Sequence, residues 1–210
     1  MKSILFTAGA CLLALSLSLN AADDGWTSLF DGKTLKGWKE SGGEGSFFVE
    51  DGKLVAKGKP MGHLFYVGDV NSGAFKDFEL KLEVMTKTNS NSGVYFHTRY
   101  QEQGWPQSGF ECQVNATHGD WRKSGGLYSV VDVKDVAPHK DNEWWNYHIT
   151  VKGKTVTIRV NGKQTAEWTQ PDDWKGKFPG RAIGSGTFAL QAHDPNSVVY
   201  FKKIRVKTLP

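Results

Sequence analysis

The sequence has little cysteine: of 210 residues, only Cys11 and Cys112 are cysteines. Cys11 lies in an apolar N-terminal segment that we expect to be removed, so the remaining chain cannot form an intrachain disulfide. Cys112 alternates with Phe110 and Val114 in "FECQV". A thiol that shares a strand face with apolar side chains is expected to be buried and unreactive.

The sequence also lacks an excess of charge of one sign. It has 26 Lys and Arg against 22 Asp and Glu, a formal net charge of +4, and the basic residues are scattered without a run. Such a weak positive balance gives no reason to expect a nucleic-acid partner.

The one long hydrophobic run is at the N-terminus, from Ile4 to about Leu19, after Lys2 and before "NAADD". This pattern predicts a signal peptide over residues 1–22 and a single domain over 23–210. The run is short for a bilayer span, so we expect export to a bacterial periplasm or secretion, with no stable membrane insertion after cleavage. Too little apolar sequence precedes Cys11 for a lipoprotein signal.

Beyond that run, the sequence has no sustained helical period. Apolar and polar residues alternate instead in "FELKLEV", "GVYFHTRY", "FECQV", "YHITVKG", "TVTIRVNG", "TFALQAH" and "VVYFKKIRV". Turn pairs separate these runs: Asp31-Gly32, Asp51-Gly52, Lys152-Gly153 and Asn161-Gly162. The alternation predicts an all-β fold, an antiparallel sandwich whose strands have one buried and one polar face.

Three of these strands carry an unusual polar face. Alternation groups Tyr95 with His97 and Arg99, Glu111 with Gln113, and Gln191 with His193. Each residue alone is typical of a solvent-facing strand. Together, amide, guanidinium, imidazole and aromatic groups match what sugar hydroxyls need for binding.

The stretch from about Tyr100 to Trp145 has few alternating runs and many Gly, Asp, His and Trp residues, which is typical of functional loops. Four of its tryptophans could stack against a sugar ring: Trp105, Trp121, Trp144 and Trp145.

Several segments, in order along nearly the whole chain, resemble the bacterial 3-keto-disaccharide hydrolase domain family. These are "SLFDGKTLKGW", "FVEDGKLVAKG", "DFELKLEV", "NSGVYFHTR", "GFECQV", "EWWNYHITVKGKTVTIRVNGK" and "GTFALQAHD". The resemblance implies a concanavalin-like jelly-roll sandwich of two curved antiparallel sheets and action on sugars oxidised at carbon 3. It also implies functional positions at Glu111, His193, Arg99, Asn91 and Tyr128.

An ordinary glycosidase needs two carboxylates, and "FECQVN" offers only Glu111. Three loop carboxylates could supply a second one: Asp120, Asp132 and Asp135. A 3-keto sugar removes that need, because its ketone acidifies the hydrogen on carbon 2 and the enolate can expel the group on carbon 1.

We therefore expect a hydrolase or lyase acting on 3-keto-glycosides. Glu111 or His193 would be the base at carbon 2, Arg99 would stabilise the enolate, and the remaining His or Tyr128 would be the acid. The predicted substrate-binding set consists of His97, Gln113, Gln191, Asn91, Tyr128, Tyr95, Trp105 and Trp121.

No cofactor follows with certainty from the sequence, although a divalent metal is possible. His97, Glu111 and His193 could form a set of two histidines and one carboxylate, and His118 with Asp120 is a second candidate. Two other classes remain open: a non-catalytic carbohydrate-binding jelly-roll module, for which Glu111 would only aid binding, and a cell-surface adhesion domain.

Overall fold

The computed structural model describes residues 24–176 and 180–210, which form two β-sheets and one short 3-10 helix, Val70–Gly73. The predicted signal peptide, 1–22, lies outside the described residues. One sheet, the back sheet, contains β1 (Thr27–Ser28), β3 (Phe47–Glu50), β4 (Lys53–Lys57), β6 (Phe78–Thr86), β11 (Trp145–Lys152), β12 (Thr155–Val160), β13 (Lys163–Thr169) and β15 (Val198–Thr208). The other, the pocket sheet, contains β2 (Trp38–Ser41), β5 (Gly62–Tyr66), β7 (Asn91–Thr98), β8 (Phe110–Asn115), β9 (Arg122–Leu127), β10 (Val131–Lys134) and β14 (Thr187–Ala192).

Both sheets are antiparallel throughout their described strands. The back sheet has the order β13-β12-β11-β6-β15-β4-β3, with β1 paired to β15. The pocket sheet has the order β10-β9-β8-β7-β14-β5-β2. The all-β sandwich of two antiparallel sheets that alternation predicts is therefore confirmed.

The core lies between the two sheets and is built from the apolar half of each alternating strand. In β8, Phe110, Cys112 and Val114 are at most 1% exposed and belong to this core. Cys112 is thus buried, as predicted, and burial raises the pKa of its thiol well above the usual value. The other residues of β8 therefore face away from the core, which places Glu111 and Gln113 on the outer face of the pocket sheet.

Asn-Gly and Asp-Gly pairs form the tight turns that set the register of two hairpins. Asn161 and Gly162, with φ of 49° and 79°, join β12 to β13, and Asp51 and Gly52, with φ of 46° and 76°, join β3 to β4. Two successive residues with positive φ match the twist of a hairpin and are easiest for Asn, Asp and Gly. The turns predicted at these two pairs are confirmed.

The stretch from Tyr100 to Trp145 contains two strands, β9 and β10, that alternation does not reveal. In β9, Gly125 and Gly126 leave no apolar alternation to recognise. Close packing requires these glycines, because a Cβ at Gly125 would lie 2.9 Å from Thr165 Cβ and one at Gly126 would lie 2.8 Å from Val133 N. The strands extend the pocket sheet beyond β8 and carry the loops beside it.

No helix in the described ranges is long and apolar enough to cross a membrane.

Candidate functional site

A pocket of about 720 Å³ lies on the outer face of the pocket sheet. Strands β7, β8 and β14 supply its floor, and the loops around residues 105–107, 120, 128 and 181 supply its walls. Its lining consists of Asn91, Tyr95, Trp105, Pro106, Gln107, Glu111, Gln113, Asp120, Tyr128, Arg181, Gln191 and His193. The three strands predicted to carry the polar face therefore meet at one site.

Glu111 is the carboxyl group at the centre of the floor and is only 6% exposed. It lies opposite Tyr95 in the β7–β8 register, and the Tyr95 hydroxyl donates a 2.7 Å hydrogen bond to Glu111 Oε2. Gln191 Nε2 lies 3.5 Å from Glu111 Oε1 and donates a 3.0 Å hydrogen bond to the Tyr95 hydroxyl oxygen. Glu111 is thus held by neighbours from two other strands.

Burial raises the pKa of Glu111 from 4.5 to about 7. The Tyr95 hydrogen bond and the positive charge of Arg181 oppose this shift, because both favour the ionised carboxylate. A carboxyl group with a pKa near neutrality can both accept and return a proton at physiological pH, which suits a general base or acid.

Two glutamine carbonyl oxygens beside Glu111 are buried without a hydrogen-bond donor. Gln113 Nε2 donates to Asn91 Oδ1 at 3.0 Å, which leaves Gln113 Oε1 unpartnered. Gln191 is held through its Nε2 in the same way, and its Oε1 is also unpartnered. Buried acceptors without donors are costly, so these two oxygens suit a ligand that brings hydroxyl groups.

A cluster of His118, His193 and Asp194 lies at the edge of the pocket. His193 Nδ1 lies 3.0 Å and His118 Nε2 lies 3.7 Å from Asp194 Oδ2. Burial tends to raise the pKa of Asp194, but hydrogen bonds from Ser197 and His193 outweigh it and lower the pKa below the usual value. An ionised Asp194 orients the His193 ring and leaves Nε2 of that ring for chemistry in the pocket.

The structure brings together a different set of possible metal ligands from the two sets predicted from the sequence. His97 lies away from Glu111 and His193, and Asp120 meets His118 through its backbone, where its N–H donates to His118 Nδ1 at 3.2 Å. The ligand atoms that approach one another are those of His118, His193 and Asp194, all within 4.8 Å. Two imidazoles and a carboxylate form a donor set that suits a divalent transition metal or zinc.

His97 and Arg99 do not share the pocket face with Tyr95, so the placement that alternation gives them is wrong. His97 has a φ of 54°, and the β7–β14 register shifts beside it. This bulge turns the ring toward Phe78 of the back sheet, 5.7 Å away. Arg99 follows the end of β7. Its side chain is exposed and does not line the pocket.

The positive charge expected from Arg99 is provided in the pocket by Arg181, which alternation could not identify because it lies in a loop. Asp120 supplies a second carboxylate in the lining, one of the three loop candidates from the sequence. It is bound to the Arg122 backbone N–H at 2.9 Å, and its charge contributes to the raised pKa of Glu111. Asp132 does not line the pocket; it accepts a hydrogen bond from the Ser129 N–H and shares the Arg122 guanidinium with Asp120.

His63 is another residue beside the pocket that was not predicted from the sequence. It lies opposite Gln191 in the β14–β5 register, is fully buried, and packs edge-on to Tyr95 and Trp105 with ring centroids 5.4 Å and 5.5 Å away. Burial, with a smaller contribution from His193, lowers the pKa of His63 to about 4. The short alternation in "GHLFY" was the available signal, because His63 and Phe65 share one face.

The aromatic residues predicted to stack on a sugar occupy different environments. Trp105 lines the pocket, is 47% exposed, and contacts the His193 ring with centroids 5.6 Å apart. Trp121 is 42% exposed but lies outside the lining, where Arg122 stacks on it. Trp145 is buried in the core against His139, and Trp144 lies under Lys202 on the back sheet. Trp105 is therefore the tryptophan in a position to stack on a ligand in this pocket.

Comparison with known proteins gives the family of the chain. A model of the 3-keto-alpha-glucoside-1,2-lyase-like domain matches residues 25–207. A protein of Bacteroides thetaiotaomicron named 3-keto-disaccharide hydrolase is 28% identical, with 92% of this chain and 82% of that protein covered.

Solved structures show the same architecture. A "putative glycosyl hydrolase" from Parabacteroides distasonis is 26% identical with a TM-score of 0.74, over 89% of this chain and 94% of that one. A Bacillus subtilis protein described as having a galectin-like fold has a TM-score of 0.58 at 13% identity, over 83% and 90% of the two chains. The concanavalin-like jelly roll is confirmed, and the chain belongs to the family of 3-keto-α-glucoside-1,2-lyase-like domains.

Proposed function

We propose that the protein is an exported enzyme that cleaves the glycosidic bond of 3-keto sugars by abstracting the proton on carbon 2, eliminating the group on carbon 1 and adding water. The observation that carries this proposal is Glu111, a buried carboxyl group with a pKa of about 7 on the floor of a pocket. A buried base of this strength suits the acidified hydrogen beside a ketone.

The unpartnered oxygens of Gln113 and Gln191 support a sugar as the ligand. Both lie on the pocket floor on either side of Glu111, and each can accept a hydrogen bond from a sugar hydroxyl. Trp105 offers an exposed aromatic face at the pocket wall for the apolar side of a sugar ring. Together these groups would place carbon 2 of the sugar over the Glu111 carboxylate.

Each step of the reaction then has a residue to carry it. Glu111 takes the proton from carbon 2, and Arg181 in place of Arg99 offers positive charge to the enolate. The enolate expels the group on carbon 1, whose oxygen receives a proton from His193, and a double bond forms between carbons 1 and 2. Water then adds to carbon 1 and gives a proton to His193, while Glu111 returns its proton to carbon 2, so the net result is hydrolysis and both residues regain their starting protonation.

Asp120 is a second carboxylate in the pocket, so a conventional two-carboxylate glycosidase reaction is a testable alternative. The decisive experiment incubates the protein with matched pairs of α-glucosides and of β-glucosides, in which one member of each pair is oxidised at carbon 3 and the other is not. We expect release of the aglycone from the 3-keto member alone, loss of turnover in Glu111→Gln and His193→Ala, and a much smaller loss in Arg99→Ala than in Arg181→Ala. Cleavage of the unoxidised glucoside, or sugar binding without turnover, would contradict the proposal; the second result would favour a carbohydrate-binding module.

A divalent metal at His118, His193 and Asp194 is the alternative to proton donation by His193. Such an ion would supply Lewis acidity at the pocket edge and would hold His193 as a ligand rather than leave it as the proton donor. Titration with Mn²⁺ or Zn²⁺, followed by calorimetry, should give binding at one site that His118→Ala removes. Absence of binding, with turnover unaffected by a chelator, would leave His193 as the acid.

Export is proposed from the N-terminal pattern of residues 1–22 alone. Expression of the full sequence in a Gram-negative host should place the protein in the periplasmic fraction, beginning near Ala22 or Asp23 by N-terminal sequencing. Recovery of the uncleaved chain from the cytoplasm would contradict this part.

A further inference from the structure

The outer face of the back sheet carries a row of basic side chains that the pocket chemistry does not use. Arg159 lies opposite His148, His148 lies opposite Lys81, and Lys81 lies opposite Arg205 in the registers of β12, β11, β6 and β15. We call these four residues the basic row. Because neighbouring strands are about 4.8 Å apart, the row extends about 14 Å across the sheet.

Among the described residues, three of the four members of the basic row have no acidic partner within 4.0 Å, and the fourth, His148, is bound to Glu79. Glu79 and Glu83 flank Lys81 along β6, but Glu79 is bound to His148 at 2.7 Å and Glu83 is paired with Lys202 and Lys203 at 3.1 Å and 2.7 Å. Within the described part of the chain, Lys81, Arg159 and Arg205 have no carboxylate within 4.0 Å.

Lys81 and Arg205 are like charges placed directly opposite one another, which destabilises a sheet, so this pair needs a compensating interaction. Trp26 provides part of it, with its ring 4.3 Å from Lys81 Nζ and 5.5 Å from Arg205 Cζ. The same ring meets His148 edge-on at 6.3 Å. A groove of about 360 Å³ beside the row is lined by Lys81, His148, Arg205, Lys203, Asn146 and Glu83, among others.

We propose that the basic row binds an acidic polysaccharide, a linear sugar chain that carries carboxylate or sulfate groups. The row is one residue wide, and Glu79 and Glu83 lie on either side of it. A single chain that lies along the row meets Lys81, Arg159 and Arg205 between the two carboxylates, and it also meets the Trp26 ring that packs against Lys81 and Arg205. A membrane surface or a nucleic-acid duplex presents its negative charge over a wider area and would approach both carboxylates.

The polysaccharide would bind on the face of the sandwich opposite the pocket, since the two sheets pack through their inner faces and each site lies on an outer face. The proposal is therefore independent of the reaction in the pocket. It predicts that polysaccharide binding and turnover respond to different substitutions.

The test measures binding of polygalacturonate and of dextran sulfate, with neutral dextran as the uncharged control, by affinity electrophoresis and calorimetry at low and high salt. The variant removes three charges: Lys81→Gln, Arg159→Gln and Arg205→Gln. The matched control removes three exposed charges elsewhere, Lys33→Gln, Lys36→Gln and Lys140→Gln, so both variants have the same net charge.

We expect wild type and the matched control to bind an acidic polysaccharide and not dextran. The row variant should bind roughly tenfold more weakly at low salt, with a smaller dependence on salt. Its turnover should be unchanged, because the row lies on the face of the sandwich opposite the pocket. Equal loss in both variants, no loss in the row variant, or equally tight binding of duplex DNA or anionic lipid vesicles would overturn the proposal.

Discussion

Replacing Glu111 by Gln is expected to make the protein more stable at neutral and alkaline pH while it removes the proposed base. Folding buries the Glu111 carboxyl group and raises its pKa from 4.5 to about 7. The neutral form is therefore favoured in the folded state, and ionisation destabilises that state relative to the unfolded chain. Gln has nearly the same shape, can accept the Tyr95 hydrogen bond, and never ionises.

The expected size of the effect follows from the pKa shift. A rise from 4.5 to about 7 is worth about 3 kcal/mol at 1.36 kcal/mol per pKa unit. Below pH 4.5 the carboxyl is protonated in both states, so its neutral form contributes in full to stability. That contribution is lost progressively as the pH rises from 4.5 to the folded-state pKa of about 7, so Gln should exceed wild type by little at pH 4 and by up to about 3 kcal/mol above pH 7.

The assay is urea unfolding of both proteins at intervals from pH 4 to pH 9, compared as the difference in unfolding free energy. Taking the difference at each pH cancels the groups that titrate identically in the two proteins. Glu102→Gln is the matched control, because the Glu102 side chain is 81% exposed. A difference for Glu111→Gln that does not change with pH, or one that falls as the pH rises, would refute the reasoning.

Three further predictions concern the pocket. Burial lowers the pKa of His63 from 6.5 to about 4, so the wild-type folded state loses stability as the pH falls below 6.5. His63→Phe removes this loss, so its gain in unfolding free energy over wild type should be larger at pH 4 to 5 than at pH 7. Urea midpoints that change equally at both pH values would contradict this prediction. Trp105→Ala should weaken sugar binding about three- to tenfold, while Trp121→Ala, outside the lining, should leave the dissociation constant unchanged. In Gly93→Ala the added Cβ would lie 2.8 Å from Glu111 Cγ. This substitution should therefore lower turnover at least about tenfold and cost about 1–3 kcal/mol of unfolding free energy. Wild-type turnover would show that the position of Glu111 is not critical.

Alternation predicted most of the fold because it depends on a property that the sequence states directly: which side chains are apolar. In β8 it separated Phe110 and Cys112 from Glu111, and the structure has the same division. It also grouped Gln191 and His193 on the pocket side of β14 and its end. The resemblance to a family added the concanavalin-like jelly roll, which periodicity alone could not distinguish from other sandwiches.

The site was harder to predict because its chemistry depends on contacts between distant segments. Asp194 lies directly after His193 in the sequence, but its approach to His118 depends on how the loop after β8 folds over the end of β14. Arg181 reaches the pocket from a loop with no periodic pattern. The pKa of Glu111 depends on its burial, which requires the loops that cover the sheet.

The failure at His97 has a definite cause. Alternation assumes that every residue of a strand is extended, and the φ of 54° at His97 breaks that assumption at one residue. Histidine adopts a positive φ more often than most residues but much less often than glycine, so its presence in an alternating run does not identify the bulge.

His97 nevertheless contacts the loop that carries Arg181, from outside the pocket. Its Nδ1 accepts a 3.1 Å hydrogen bond from the Gly184 backbone N–H, so its Nε2 carries the proton and donates to the Lys76 carbonyl at 2.8 Å. Burial lowers the His97 pKa, which keeps this neutral form. The loop that carries Arg181 is thereby fastened to the sandwich through a residue that no ligand in the pocket would touch. A substitution at His97 would therefore change catalysis by releasing that loop, and a survey limited to pocket-lining residues would overlook it.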